Sequence, residues 1–263
     1  MEEGVQKASI TKRISAGIID IIAVSIIATL FAWIITLVSG YDIWNEKLED
    51  SYSHYENLYG VTFRITEEEY YSLSDMDREN YDAAYKALLE DKGAMKAYSM
   101  VTNLMIMTLS LGIFISILIW EFIIPLFIKE GRTVGSLIFG IAVMRTSGVR
   151  ISHISLFIRA ILGKYAIETM IPVFIIMMIF MNTIGIVGPI VLLCILLLEL
   201  FCIIFTKNNQ LIHCILSDTV VVDYGSQKIY SSDEELLEAK KRAAKEHLVD
   251  PELMDSKNKA YPV

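Results

Sequence analysis

Four carboxylates stand inside otherwise apolar runs of this 263-residue chain: Asp20, Glu121, Glu168 and Glu199. The other acidic residues, and all 23 basic ones, lie in polar segments or at the ends of those runs. A charged side chain at the middle of a membrane helix costs roughly 2.5–3.5 kcal/mol on insertion scales, so the four are expected to face one another or a wet vestibule. Gathered together they could not all ionise without a cation, which makes binding of protons or small cations the chemistry of the set. Two of them carry a second signal: Pro125 follows Glu121 by four residues, and Pro172 follows Glu168 by four. A proline withholds the hydrogen bond from the carbonyl four residues back. Each glutamate would then offer a carboxylate and a freed carbonyl, hard oxygen ligands for a small cation. The opposing reading is fastening. Arg13 sits seven residues before Asp20 on the same helix face, and Arg159 and Lys164 flank the third run. Snorkelling basic side chains there would lock helix ends together.

Such positions need membrane helices to hold them. Hydrophobic residues make up 54% of the chain and charged residues 21%, segregated into blocks rather than mixed as in a soluble domain. A span needs roughly 20 mostly apolar residues. Four stretches qualify: Ile14–Val38, Met100–Ile128, Ile161–Met181 and Ile186–Phe205. The first is too long for the apolar core of a cleavable signal and reads as a retained span. Gly185, Gly188 and Pro189 place a tight turn between the last two. At 1.5 Å of rise per residue, all four carboxylates fall about 10 Å below the same membrane face.

Charge assigns that face to the cytoplasm. Lys7, Lys12 and Arg13 precede the first span, and the segment from Lys129 to Lys164 carries six basic residues against one acidic, Glu130. The loop 40–99 carries fourteen acidic residues and six basic. Short basic loops stay inside, so both termini and the middle segment are cytoplasmic and the acidic loop is outside. That loop reads as folded. Thr66 with Glu69 and Ser74 with Asp77 resemble helix starts, and Tyr81, Ala84, Tyr85 and Leu88 recur at helical spacing up to Gly93. A solvated acidic helix pair is expected, with a cation-collecting cap as the alternative.

On the inner side, Lys129 to Phe139 reads as an interfacial stretch. Ile141–Thr146 and Val149–Ser152 read as a hairpin turning at Ser147-Gly148, with Thr219–Asp223 as a third strand. Ser232 is expected to cap a charged tail helix that frays toward Val263 or docks a cytoplasmic partner. His213 reads as a surface histidine, without a ligand-spaced partner nearby.

Several classes fall away. A net charge of −8 leaves no basic excess for nucleic acid. No P-loop, nucleophile elbow, HExxH or dinucleotide fingerprint is present, so neither an enzyme nor a bound cofactor is expected. Cys194, Cys202 and Cys214 lack metal-ligand spacing and none falls in the outer loop, which argues against a metal centre and a disulfide framework.

In its motifs the chain resembles the RDD family of membrane proteins. KRISAGIIDIIA, from Lys12 to Ala23, is similar to the family's opening, with Arg13 at the helix start and Asp20 inside the first span. GRTVGSLIFGIAVMRTSGVRIS resembles its central G-x-T-x-G block, here Gly131, Thr133 and Gly135, and Arg159 falls at the arginine that follows. LIHCILSDTVVVD resembles the closing motif, with His213, Asp218 and Thr219. The resemblance covers all four spans and leaves out the outer loop and the tail after Tyr230. It implies membrane transport, with cation–proton exchange the usual suggestion. Two positions depart from the pattern. Ser136 stands where the family commonly has a basic residue, and Cys214 stands where the resemblance implies the second aspartate. Asp218, one helical turn on, is expected to occupy the same space.

The reading is therefore an all-α polytopic membrane protein, a four-helix transmembrane bundle with cytoplasmic termini, a helical outer loop and a small interfacial helix and β element. Its segments are 1–39, 40–99, 100–128, 129–160, 161–181, 186–205, 206–230 and 231–263. The expected function is transport in a bacterial plasma membrane, exchanging protons for small cations. Asp20, Glu121, Glu168 and Glu199 form the site, and Arg13 and Arg159 set its electrostatics. Four helices enclose little space, so a homo-oligomer or a membrane partner is expected besides the lipid bilayer. On this reading Asp20→Asn abolishes flux and leaves the protein folded. The alternative is a membrane scaffold or assembly factor that recruits partners through its cytoplasmic segments.

Overall fold

The computed structural model describes residues 5–242, 244 and 245. Four of its helices are long and apolar enough to cross a membrane: Ile10–Ser39, Lys92–Phe127, His153–Phe180 and Val187–Phe205. Side chains such as Ile21, Leu37, Leu197 and Ile204 stand exposed along them, as lipid-facing positions require. The chain divides into two compact units, Ser25–Ser116 and the remainder.

Within Ser25–Ser116, the polar stretch between the first two spans is helical almost throughout, over Tyr41–Tyr59, Glu67–Ser72 and Asp75–Glu90. Local side-chain chemistry sets these starts. Thr66 Oγ1 accepts from the Glu69 N–H at 3.2 Å while Glu69 Oε2 accepts from the Thr66 N–H at 2.7 Å, a complete capping box. Ser74 Oγ accepts from the Asp77 N–H at 3.2 Å. Asp91 ends one helix and begins the next: its Oδ1 accepts from Gly93 and Ala94 N–H groups at 2.7 and 3.2 Å. The Ala94 and Gly93 donors hold its carboxyl below the usual range. Leu48, Ala97 and Val101 form the core of this unit under Tyr41, Trp44 and Tyr52.

The second unit is built around a two-stranded sheet. Strand β1, Ile141–Arg145, pairs antiparallel with β2, Thr219–Asp223, with Ile141 opposite Asp223 and Arg145 opposite Thr219. The N-terminal segment joins its edge, the Ala8 N–H donating to Val221 O at 3.2 Å and the Asp223 N–H to Gln6 O at 3.0 Å. Both faces of the sheet are covered. Ala142, Met144, Val220 and Val222 bury one side, while Ile141, Val143 and Val221 bury the other. Apolar runs without polar alternation are what such strands require. The expected local hairpin is reduced to a turn, in which the Gly148 N–H donates to Arg145 O at 2.9 Å, and to one bridge, Met144 to Arg150. The ladder partner of β1 is the distant β2, whose longer β-branched run gives a better buried surface than Val149–Ser152.

The spans of this unit depart from the α register at two places. Leu118–Ile123 and Ile158–Met170 are π-helical, each ending just before the turn that contains Pro125 or Pro172. The Ile124 N–H donates five residues back, to Ile119 O. The four-residue rule that pointed to a freed Glu121 carbonyl therefore does not apply at this turn. The third spanning helix begins at His153, well before Ile161, because Ser152 caps it: Ser152 Oγ accepts from the Ser155 N–H at 3.0 Å. A tail helix covers 233–242, with Ser232 Oγ accepting from the Glu235 N–H at 3.3 Å. The stretch toward Val263, where fraying or docking was expected, lies outside the described residues.

Candidate functional site

Asp20 is held by the central motif. Its Oδ1 accepts from Trp120 Nε1 at 2.8 Å and from the Gly135 N–H at 3.0 Å, and its Oδ2 from Thr133 Oγ1 at 2.6 Å. The side chain is buried. Each motif residue has a physical task in this cradle. Gly131 turns the chain at φ 60°. Thr133 caps the short helix Val134–Ile138, its Oγ1 accepting from the Ser136 N–H at 3.2 Å while donating to Asp20. Gly135 must lack a Cβ, which would fall on Ala16 O and within 2.8 Å of Asp20 Oδ1. Ser136, where the resemblance implies a basic residue, closes the same turn by donating to Thr133 O at 2.8 Å.

Glu121 makes an ion pair with Lys164 at 2.5 Å. Both line a cavity of about 120 Å³, together with Asp20, Arg13, Arg159 and His213. The two arginines pair with none of the four carboxylates. Arg13 Nη1 donates to Asn209 O at 2.5 Å, and Arg159 Nη1 to Cys214 Sγ at 2.9 Å and Thr219 Oγ1 at 3.2 Å. Cys214, and not Asp218, thus faces Arg159. Asp218 is exposed, sits at φ 51°, and accepts a hydrogen bond from Thr146 Oγ1. Burial opposes ionisation of the Cys214 thiol, yet Arg159 and His213 hold it well below the ordinary thiol value.

Glu168 belongs to a second group. His213 Nδ1 lies 2.7 Å from both Glu168 oxygens, and the His213 backbone N–H donates to Oε1 at 2.9 Å. His213 is buried, not on the surface. The reason is a close approach between the short helix Ile212–Leu216 and the third span at Gly163. A Cβ there would fall on His213 Cβ and lie 2.7 Å from its Cα. Burial works against a charged imidazole, but Cys214 and Glu168 hold the His213 pKa above its usual value. Glu199 lies beside Glu168. Its Oε2 is 3.5 Å from the Ile212 N–H, and its Oε1 is buried without a hydrogen-bond partner among the described residues.

The carboxylates thus form two groups and not one quartet: Asp20 with Glu121 on the cavity, and Glu168 with Glu199 under His213. His213 adjoins both, since it also lines the cavity. No three His, Cys, Asp or Glu side chains among the described residues converge in a metal-holding arrangement. Sequence reasoning missed the Glu168–His213 contact. The glycine at 163 was its only trace, and a glycine inside an apolar helix has many readings.

A family model described as the RDD family matches residues 7–218. That interval takes in Asp20, the central block, Arg159 and His213, and stops short of β2. No curated protein and no solved structure matches the chain.

Proposed function

The chain belongs to the RDD family of membrane proteins, and from that premise we propose that it is a transporter exchanging protons for small cations in a bacterial plasma membrane. The observation that carries this reading is the buried, unpartnered Oε1 of Glu199 beside Glu168 and His213. An unmade hydrogen bond on a buried carboxylate is costly, and a proton or a small cation would complete it. Glu199 sits beside Glu168, and the pair offers a proton and a cation the same carboxylate oxygens. Competition for shared ligands is the thermodynamic basis of exchange. The proton-handling group is accordingly Glu168, Glu199 and His213. Asp20 and Glu121 position the spans around it.

The fastening role of those two also supports a second reading, a membrane scaffold that recruits partners through its cytoplasmic sheet and tail. Proton flux into liposomes containing the purified protein separates the two, with sodium, lithium and potassium added in turn. A cation-selective flux is expected. Silence from protein shown to be folded and inserted would leave the scaffold.

A further inference from the structure

The cavity beside Asp20 has a charge balance unlike that of a cation site. Three cationic side chains line it, Arg13, Arg159 and Lys164, against two carboxylates. Those carboxylates are already engaged: Asp20 by three neutral donors, Glu121 by Lys164. Arg13 and Arg159 are electrostatic neighbours, and neither has a carboxylate partner among the described residues. Arg159 is only 8% exposed. Cys214 Sγ accepts a hydrogen bond from it and does not line the cavity. Among the described residues each guanidinium uses Nη1 alone in its hydrogen bonds, which leaves the other N–H donors of the fork for a ligand. Two like charges brought together out of water call for a counter-ion, and planar guanidinium forks match oxyanions better than any other anion.

We propose that this cavity is a binding site for a phosphate-type oxyanion, gripped by Arg13 and Arg159. At about 120 Å³ it is close to the roughly 150 Å³ of an engineered apolar cavity that admits benzene, enough for a tetrahedral group of five heavy atoms. Its walls mix these charged groups with apolar side chains such as Ile141, Leu156 and Leu211, and the charged groups set what it binds. The same group comes from two sources, free inorganic phosphate or the headgroup of an anionic phospholipid. The site shares His213 with the Glu168–Glu199 group but does not rest on the exchange reading.

The test uses the full chain, purified in detergent and also in nanodiscs of phosphatidylcholine with or without phosphatidylglycerol. Inorganic phosphate is titrated calorimetrically against the detergent sample, and unfolding temperature is compared between the two nanodiscs. Saturable phosphate binding, weakened about tenfold or more in Arg13→Gln and in Arg159→Gln, supports the site with a soluble source. Stabilisation by phosphatidylglycerol that both variants lose, without phosphate binding, supports the same site filled by a lipid. Arg13 is only half-buried and keeps the test open if Arg159→Gln fails to fold. Absence of both effects in folded wild-type protein, or effects that both variants leave unchanged, overturns the proposal.

Discussion

Asp20→Ala is expected to lower stability on the order of 2–5 kcal/mol, summed over three hydrogen-bond donors that lose a charged acceptor. Trp120 Nε1, Thr133 Oγ1 and the Gly135 N–H all converge on this one carboxylate. Its removal leaves the buried Gly135 N–H and the half-buried Trp120 Nε1 without this acceptor, while Thr133 Oγ1 keeps Ser136 Oγ at 3.1 Å. A loss of this size is a large part of the total stability of a small protein, and it shows directly as a fall in unfolding temperature in detergent. Asp20→Asn is expected to fall between alanine and wild type. The amide oxygen can keep the Trp120 and Gly135 donors, and its NH₂ then faces Thr133 Oγ1, a hydroxyl that can accept. The cradle gives Asp20 a structural task as well, so flux in Asp20→Asn is read together with its unfolding temperature. An alanine variant as stable as wild type would show that the central block is not held through Asp20.

Gly163→Ala is the second large effect. The added methyl would meet the Cα and Cβ of His213, atoms fixed to the backbone of the Ile212–Leu216 helix, so no flexible side chain can yield. Overpacking of this kind costs about 1–3 kcal/mol, and the strain is relieved only by moving that helix away from the third span. His213 would then lose its three contacts to Glu168. Hydrogen exchange should rise over 212–216, and the proton flux of the reconstituted protein should fall with it. Unchanged exchange and flux would mean that the approach at Gly163 does not set the Glu168–His213 geometry.

What was legible in the sequence follows the range of the forces involved. Hydrocarbon thickness sets a length scale, so the four spans show as apolar runs. Capping is an i to i+3 interaction, so Thr66 with Glu69 and Ser74 with Asp77 read correctly from neighbouring letters. The β-branched run Thr219–Asp223 announces a strand, but not that its partner is Ile141–Arg145, since pairing across such a separation leaves no local mark. The turn at Ser147-Gly148 suggested a hairpin because turn chemistry is local and ladder choice is not. The four intramembrane carboxylates were visible as charges in the wrong medium. Their division into two groups was not, because it depends on Lys164, Thr133 and His213 arriving from other segments. The π register before each proline was equally hidden, and with it the fate of the nearby carbonyls.

The central claim is that Glu168, Glu199 and His213 handle the proton while Asp20 and Glu121 fasten the fold. Cation-driven proton flux per folded molecule in Glu199→Gln liposomes tests it most directly, because among the described residues Glu199 meets only Glu168 and, at 3.5 Å, the Ile212 N–H, contacts an amide can keep. The account predicts flux at background with an unfolding temperature close to that of wild type. A wild-type rate from Glu199→Gln would contradict it.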